Sequence, residues 1–381
     1  MSSPHKADRP IVPVSRPRLW GPEPEAVRCA AEALELSGST SQVEAFEAQF
    51  AKYVGCRTAV AVNSGTSALH LALASLDLPE RSEVLVPALA MAAVYFAVLY
   101  NRLRPVPVDI GQDLNINPTE LARRLTPNTR AVLAVHNFGR PAQMSAIGSF
   151  CAAHNLKIVE DGAEALGASY DGKPVGCLGD VSCFSLYANK LITCGEGGMI
   201  GTNDERIASR ARALRSLCFG AKPESRYTHE EVGFSFRLSG LQAAFANAQL
   251  EFVSEAVARI NEAYEHYERM LGDETNLDRP SAAMEATICP WGYIVLLRGA
   301  SRKQRLAVQQ SMARAGVETR ALFTPLHKQP FYKAKTMERF PCAENAERCG
   351  IHLPLFVDMK DREVAYVVSS LLAAIEKNCR N

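Results

Sequence analysis

The sequence lacks the features that mark several large classes of protein. Its 42 Lys and Arg residues are balanced by 41 Asp and Glu residues, so no broad basic field is available to attract a nucleic acid. The first 20 residues contain no apolar run of the kind that forms a secretory signal. We therefore expect neither a nucleic-acid partner nor export through the secretory route.

Metal-binding, disulfide-linked and membrane-spanning architectures are disfavoured as well. The 11 cysteines form no C-x-x-C pair and no Cys/His spacing typical of zinc, which indicates reduced thiols in a cytoplasmic protein. One charge-free stretch, residues 84–100, is shorter than the roughly 20 residues of a membrane-spanning helix, and Pro87 divides it into a strand and a helix. This stretch is expected to be buried core, and no membrane partner is expected.

What the chain does have is the length and composition of a globular protein. Its 381 residues are 47% apolar and 22% charged, which is typical of soluble domains. At about 100–200 residues per domain, this length predicts two domains, or one large domain with an appendage. We predict an N-terminal arm over residues 1–22, a large domain over 23–255 and a small C-terminal domain over 256–381.

Short apolar runs alternate with helical segments from residue 57 onward. This alternation predicts an α/β fold in which helices cover both faces of a mostly parallel sheet. The helical segments include residues 118–125 and one long helix over 239–271. Because ligands of such sheets bind beyond the carboxyl ends of the strands, residues just after each apolar run are candidates for the site. The strand-like runs are TAVAV, EVLVP, RPVPVD, RAVLAVH, LKIVED, DVSCFS and GGMIGT.

The turn at residues 63–69 follows the first of these runs, contains Gly65 and opens a helix. The free N–H groups and the positive dipole end of a helix N-terminus can bind a phosphate. The alternative is that the Ser and Thr residues of this turn only cap the helix, which is their commoner role.

Charged side chains follow two other strand-like runs. Asp161 and Glu164 could bind a metal, act as acid and base, or hold a cationic ring nitrogen, whereas a helix cap with a solvated carboxylate is the structural alternative. Lys190 lies between a buried strand and the GEGG turn at 195–198, where desolvation lowers a lysine's pKa as imine chemistry requires. Its alternative is a surface lysine with a buried stem. The GEGG turn is not a dinucleotide fingerprint, since it lacks G-x-G-x-x-G and leads into a strand.

A phosphate turn, a carboxylate and an amine are together the three anchors of pyridoxal 5′-phosphate (PLP). Asp161 would keep the ring nitrogen of this cofactor protonated. Lys190 would hold the cofactor and, once released from it, move the proton at the substrate carbon.

At these residues the chain resembles the PLP-dependent sugar aminotransferases of the DegT/DnrJ/StrS type. The pattern FS-x-Y-x-NK-x-I-x-x-GEGG, found here as FSLYANKLITCGEGG, is highly specific to that family. RYTHEEVGFSFR and TPLH are similar to segments of GDP-perosamine synthases and related 4-amino-sugar transaminases. The resemblance implies fold type I, in which the large domain is joined to a smaller C-terminal α/β domain. Further matching segments are FEAQFAKYVG, SGTSALHLAL, AVHNFGRPAQM and IVEDGAEALGA.

The resemblance also implies roles for individual residues. Lys190 matches the Schiff-base lysine and Asp161 the partner of the ring nitrogen. Glu164 matches a Gln or Glu near the cofactor's 3-oxygen. The phosphate contacts of the family fall on Gly65, Thr66 and Ser185.

The chain departs from the family pattern at Gly162, which replaces a common Ala, at Gly38-Ser39, which lacks the usual Trp, and at two positions near the cofactor. Met91 stands where an aromatic ring commonly stacks on the cofactor, and a thioether can still cover the ring face. Ser235 replaces an Asn that in relatives reaches the phosphate of the neighbouring subunit. The residues expected near the sugar, each with a structural role as the alternative, are His229, Arg237 and His327.

The implied protein is a homodimer with shared active sites and small-molecule partners only. It would transfer an amino group from an amino acid, expected to be L-glutamate, to a keto-sugar, expected to be a nucleotide-linked 4-keto-6-deoxy sugar, in amino-sugar biosynthesis. One alternative acceptor is a non-nucleotide ketone such as a cyclitol in a natural-product pathway. An alternative from another class is a non-catalytic regulatory protein that binds PLP or a sugar.

Overall fold

A computed structural model describes residues 12–220, 223–272, 274–332 and 338–379. Residues 1–11 of the predicted N-terminal arm lie outside this part of the chain. The described part of the arm packs against the C-terminal region, where Val12 forms a bridge with Val317 and the Val14 N–H donates to a carboxylate oxygen of Glu318 at 3.0 Å.

In the described part of the chain, the strands assemble into three sheets. A seven-stranded sheet has the order β1-β9-β8-β5-β4-β2-β3, a four-stranded sheet has the order β10-β12-β14-β13, and a three-stranded sheet has the order β11-β6-β7. The strands are β1 (Thr58–Val62), β2 (Glu83–Pro87), β3 (Arg104–Val108), β4 (Thr129–Val135), β5 (Lys157–Asp161), β6 (Ser169–Tyr170), β7 (Lys173–Pro174), β8 (Val181–Ser185), β9 (Gly198–Thr202), β10 (Leu277–Asp278), β11 (Ala286–Thr287), β12 (Tyr293–Leu297), β13 (Arg320–Ala321) and β14 (Gly350–Leu353).

Helices cover both faces of the seven-stranded sheet, as the sequence predicts. α3, α4 and α6 share one apolar core with it, while α2, α7 and α8 share another that continues into the C-terminal region. The helices are α1 (Glu23–Glu32), α2 (Ser41–Val54), α3 (Gly65–Ser75), α4 (Ala93–Tyr100), α5 (Met144–His154), α6 (Glu205–Arg215), α7 (Gly240–Leu250), α8 (Val253–Leu271), α9 (Arg302–Arg314), α10 (Pro341–Cys349) and α11 (Asp361–Cys379). Short 3₁₀ turns lie at Pro118–Glu120, Ala122–Arg124, Asn137–Gly139, Pro223–Ser225 and Leu326–Lys328.

The seven-stranded sheet is mostly parallel, which confirms the predicted α/β class. β9 runs antiparallel to its neighbours β1 and β8, and the other strand pairs are parallel. The carboxyl ends of β1, β2, β4, β5 and β8 therefore lie at one edge, and β9 begins there. The chain between β8 and β9, which carries Lys190, is confined to this edge.

Two predicted helices are wrong in detail. Residues 118–125 form two 3₁₀ turns, because the bonds there run from residue i+3 to i and Thr126 precedes a proline, where helical backbone is disfavoured. The long helix predicted over 239–271 breaks at Glu251–Phe252 into α7 and α8. At the break the Phe252 ring stacks on Trp20 of the N-terminal arm, with centroids 5.0 Å apart.

The apolar stretch at residues 84–100 is divided as predicted, into β2 and α4. No helix in the described ranges is both long enough and apolar enough to cross a membrane. All 11 cysteines lie in the described ranges and are free thiols. The domain boundary at residue 255 stays a prediction, since the three-stranded sheet pairs β6 and β7 with β11 from beyond it.

Candidate active site

The turn between β1 and α3 combines a helix cap with free backbone amides. The Ser64 hydroxyl accepts the N–H of Ser67 at 3.0 Å, so the capping role is real. Within the described ranges, the N–H groups of Gly65 and Thr66 have no hydrogen-bond partner. A Cβ atom at Gly65 would come within 2.8 Å of the Ser185 Cβ, so this turn touches the end of β8. The turn can therefore bind an anion as well as cap the helix.

Asp161 is the last residue of β5, in the interior of the sheet. It pairs with Val135 of β4 on one side and with Cys183 of β8 on the other. Its Oδ1 accepts the N–H of Ala163 at 2.9 Å. Burial raises the pKa of this carboxyl, and the Ala163 N–H and the charge of Lys190 oppose the rise. A carboxylate in such a place is stabilised by a cationic partner.

Lys190 is not a surface lysine. Its side chain is 13% exposed, and its Nζ lies 3.8 Å from Glu164 Oε1. Glu164 is held in place by the Phe138 N–H, which donates to Oε2 at 2.9 Å. Burial lowers the pKa of the Lys190 amine, while Glu164 and Asp161 oppose that effect. Glu164 is likewise no solvated carboxylate, because its side chain is only 8% exposed, and this burial raises its pKa.

A buried contact between His136 and Glu160 supports the site from behind. The Nδ1 of His136 accepts the Ala142 N–H at 3.0 Å, so the ring proton is on Nε2, which faces Glu160 Oε2 at 3.3 Å. Glu160 also accepts three N–H groups from residues 176–179 at 2.6–3.0 Å. The His136 N–H donates to the carbonyl of Asp161 at 3.0 Å, so this network holds the end of β5.

The segment that carries Ser235 and Arg237 lies beside the turn between β1 and α3, which we call the phosphate-type turn. Arg237 forms a bridge with Val62, and the Asn63 N–H donates to the carbonyl of Phe236 at 2.8 Å. Ser235 is exposed, and its hydroxyl accepts from Arg237 Nη2 at 3.1 Å. The Nη1 of Arg237 is buried and has no hydrogen-bond partner in the described ranges. An unsatisfied guanidinium N–H suits an anionic ligand.

The other predicted residues lie apart from Lys190 or are open to solvent. Met91 follows β2 and is 53% exposed. His229 is exposed, with its Nδ1 2.7 Å from the carbonyl of Leu217. His327 packs on the Phe340 ring, and its Nε2 lies 3.3 Å from Glu344 Oε1 without hydrogen-bonding geometry.

Several residues around Lys190 escape prediction from the sequence. The Trp291 ring lies over the Lys190 Nζ, with 4.3 Å between the nitrogen and the ring centroid. Arg320 and His352 pair across β13 and β14, and the charge of Arg320 contributes to lowering the pKa of Lys190. The sequence offers only one indication of Trp291, which is that tryptophan is rare in this chain, with 2 residues.

The metal alternative for Asp161 and Glu164 finds no support. Within the described ranges, no group of three or more His, Cys, Asp or Glu side chains could hold a metal ion. What the site does offer is a free-amide turn for an anion, a buried amine and a buried carboxylate at one sheet edge.

Comparison with known proteins supplies the family context. A model of the DegT/DnrJ/EryC1/StrS aminotransferase family matches residues 23–372. The chain is 36% identical to the GDP-perosamine synthase of Caulobacter vibrioides, covering 96% of this chain and 98% of that protein. It is 33% identical to the GDP-perosamine synthase of Escherichia coli O157:H7, covering 94% and 97%. The structure of the aminotransferase PseC from Helicobacter pylori has the same fold, with a TM-score of 0.92 at 23% identity, covering 96% and 99%.

Proposed function

This chain belongs to the DegT/DnrJ/EryC1/StrS aminotransferase family, and from this premise we propose that it transfers an amino group from L-glutamate to a nucleotide-linked 4-keto-6-deoxy sugar. The chain is a PLP-dependent aminotransferase. Support for the acceptor comes from the GDP-perosamine synthases, whose name describes a nucleotide-linked amino sugar.

The observation that carries the proposal is the buried amine of Lys190 between Glu164 and the Trp291 ring, with the charge of Asp161 nearby. Because burial lowers the pKa of this amine, a larger fraction is neutral near pH 7. A neutral amine is the form that attacks a carbonyl carbon or accepts a proton. A structural lysine has no need of such an environment.

The residues at the sheet edge fit PLP. The free amides of Gly65 and Thr66, at the N-terminus of α3, suit its phosphate. Ser185 touches the same turn and adds a hydroxyl. Asp161 suits the protonated ring nitrogen, which would compensate the burial of its carboxylate. When bound, the cofactor supplies an electrophilic carbon and a ring that withdraws electrons.

Lys190 performs two tasks in this proposal. Its Nζ would hold the cofactor covalently. When free, the same Nζ would carry the proton that moves at the α-carbon of glutamate in one half-reaction and at C4 of the sugar in the other. Glu164 keeps the released ammonium at the site, since its carboxylate is fixed by the Phe138 N–H.

The sugar and the cofactor would meet further residues. Met91, on the loop after β2, would cover the face of the cofactor ring. Arg237, whose buried Nη1 has no hydrogen-bond partner among the residues that the structure describes, suits a phosphate of the nucleotide. His229 and His327 complete the proposed sugar contacts.

The proposed assembly is a cytoplasmic homodimer in which Ser235 reaches the phosphate site of the partner. Large apolar side chains are exposed in the same segment, with Tyr227 at 81% and Val232 at 86%. Exposed apolar groups of this size mark a protein–protein contact when they cluster. Eleven free thiols fit a reducing compartment.

Half-reaction spectroscopy tests the proposal directly. We expect L-glutamate to abolish the long-wavelength absorbance of the holoenzyme, and a nucleotide-linked 4-keto-6-deoxy sugar to restore it. L-Aspartate and L-glutamine serve as donor controls. The acceptor panel includes GDP- and dTDP-linked sugars and a free cyclitol ketone.

Restoration by the cyclitol alone would favour the alternative acceptor and refute the nucleotide-sugar assignment. No response to any amino donor would refute transamination at this site.

A further inference from the structure

Trp291 is joined to the lysine segment at two points. Its ring face lies over the Lys190 Nζ, with 4.3 Å between the nitrogen and the ring centroid. Its Nε1–H donates to the carbonyl of Asn189 at 3.2 Å, on the peptide bond that precedes Lys190. The indole therefore fixes both the backbone before the lysine and the end of its side chain.

The indole is held from behind by other rings. His352 lies 5.0 Å from it and Phe138 lies 6.4 Å from it, measured between ring centroids. Phe138 in turn stacks on Phe323 at 5.4 Å. A Cβ atom at Gly292 would come within 1.9 Å of His352 Nε2, so the chain can follow this close path past the imidazole only with glycine. The ring has little freedom to leave Lys190.

Several charged or titratable groups around Lys190 influence the balance between its ammonium and neutral forms, and the uncharged indole ring acts in addition to them. Glu164 and Asp161 favour the ammonium form, whereas burial and Arg320 disfavour it. Burial lowers the pKa of His352 to about 3, so its imidazole is neutral near pH 7. An aromatic face stabilises an ammonium without being able to take its proton, unlike either carboxylate.

We propose that Trp291 is a positioning residue that holds the free amine of Lys190 on its ring face whenever the amine is not bonded to the cofactor. This keeps the nitrogen beside Glu164 and ready for proton transfer. The inference rests on the proposed role of Lys190, but its principal test is made on the apoenzyme and requires no turnover.

The test compares Trp291→Leu and Trp291→Phe with wild type. In the full-length apoenzyme, the pH dependence of Lys190 labelling by an amine-reactive acetylating reagent is measured by peptide mapping. Loss of the ring face in Trp291→Leu should move the midpoint of labelling about one pH unit lower, because the ammonium loses its aromatic partner. Trp291→Phe keeps a ring face and should stay close to wild type.

The direction of the shift separates this role from simple packing. If Trp291 only fills space, its loss admits water, which would leave the midpoint unchanged or move it higher. Phe323→Leu is the matched control, since that ring packs on Phe138 and not on the lysine. It should lower thermal stability without moving the midpoint.

A second readout keeps the inference testable if Trp291→Leu folds poorly. In the holoenzyme of Trp291→Phe, the glutamate half-reaction should keep its pH profile. Trp291→His places a smaller and titratable ring at this position, and it should change the pH profile of the half-reaction. An unshifted labelling midpoint in a folded Trp291→Leu, or identical pH profiles in all variants, would overturn the proposal. A shifted midpoint in an enzyme that fails to transaminate would refute only the proposed function.

Discussion

At the scale of single residues, the site depends on burying charges that would be harmless at the surface. Burial raises the pKa of Asp161 and of Glu164 and lowers that of Lys190. Each shift opposes the charged form, so the three groups depend on one another and on a ligand for compensation. Cofactor binding and catalysis can therefore be probed one side chain at a time.

Asp161→Asn should weaken catalysis and stabilise the empty protein. A neutral amide no longer favours the protonated ring nitrogen, so we expect turnover to fall on the order of 100-fold. Asparagine can still accept the Ala163 N–H that Asp161 accepts now. Steady-state kinetics of the reconstituted variant measures the loss, and near-normal turnover would remove Asp161 from its proposed role.

The stability of the same variant has a defined pH dependence. Because the pKa of Asp161 is raised in the folded apoenzyme, the carboxylate destabilises the fold as pH rises through that pKa. The melting temperature of apo Asp161→Asn should exceed that of the wild type at pH 8, and the difference should vanish in acid. A lower melting temperature at pH 8 would contradict the assigned burial cost.

Lys190→Ala should abolish transamination while the fold survives. The change removes a nucleophile and proton carrier, and we expect a rate loss on the order of 10³-fold or more. PLP should still bind without covalent attachment, through the turn at Gly65 and through Asp161. Borohydride reduction followed by peptide mapping should label Lys190 in the wild type, and a label on another lysine would contradict the mechanism.

At the scale of elements, the site is assembled by the ends of strands and the starts of helices. A Cβ atom at Gly198, the first residue of β9, would come within 2.4 Å of the Ser64 carbonyl oxygen. The Gly-rich turn thus permits β9 to pass directly under the phosphate-type turn. Elsewhere, capping boxes of the form S-x-x-Q start α7 at Ser239 and α9 at Ser301.

Gly65→Ala tests whether the phosphate-type turn contributes to PLP binding. The added Cβ would lie 2.8 Å from the Ser185 Cβ, so the turn and β8 must move apart. Overpacking of this kind costs about 1–3 kcal/mol. We therefore expect the affinity for PLP to fall by about tenfold or more. Fluorescence titration of the apoenzyme with PLP measures this affinity.

Gly148→Ala is the matched control for this substitution. Gly148 lies in α5 with nothing near its position for a Cβ, so alanine should leave PLP affinity unchanged and raise stability slightly. Equal PLP affinities in the two variants would argue against the turn as the phosphate site.

At the scale of the whole molecule, distant parts of the chain meet around one amine. Trp291 and His352 come from the C-terminal region, whereas Glu164 and Lys190 lie in the connections that follow β5 and β8 of the seven-stranded sheet. The segment 227–238 carries the exposed side chains of Tyr227 and Val232, and its Arg237 forms a bridge with Val62 just before the phosphate-type turn. Such an arrangement suits a site completed by a second subunit.

We expect sedimentation to show a dimer and Val232→Asp to weaken it. Because the Val232 side chain is 86% exposed, a carboxylate there should not destabilise the folded monomer. The same carboxylate is disfavoured when it is buried in an apolar contact between subunits. Activity should fall together with dimer content. Met284→Asp, at a side chain that is 97% exposed, is the surface control. A monomer with full activity would refute the shared site.

Much of the candidate site could be located from the sequence because its residues follow strands. Gly65, Asp161 and Ser185 end or follow apolar runs, and parallel strands bring their carboxyl ends to one edge whatever their separation along the chain. Lys190 is predicted for the same candidate site because it lies between a buried strand and a glycine turn, and the structure shows that its side chain is buried there. The PLP cofactor and the family followed from these positions and their motif.

The tertiary structure alone decided what surrounds the amine. Trp291 lies two residues before β12, more than 100 residues after Lys190 in the sequence, and only the tertiary structure brings its ring face over the Lys190 Nζ. Likewise, only the tertiary structure stacks Phe252, at the break between α7 and α8, on Trp20, which lies more than 200 residues away in sequence. Local pattern encodes which elements form and where they end, whereas contacts between distant elements set the environment that tunes the chemistry.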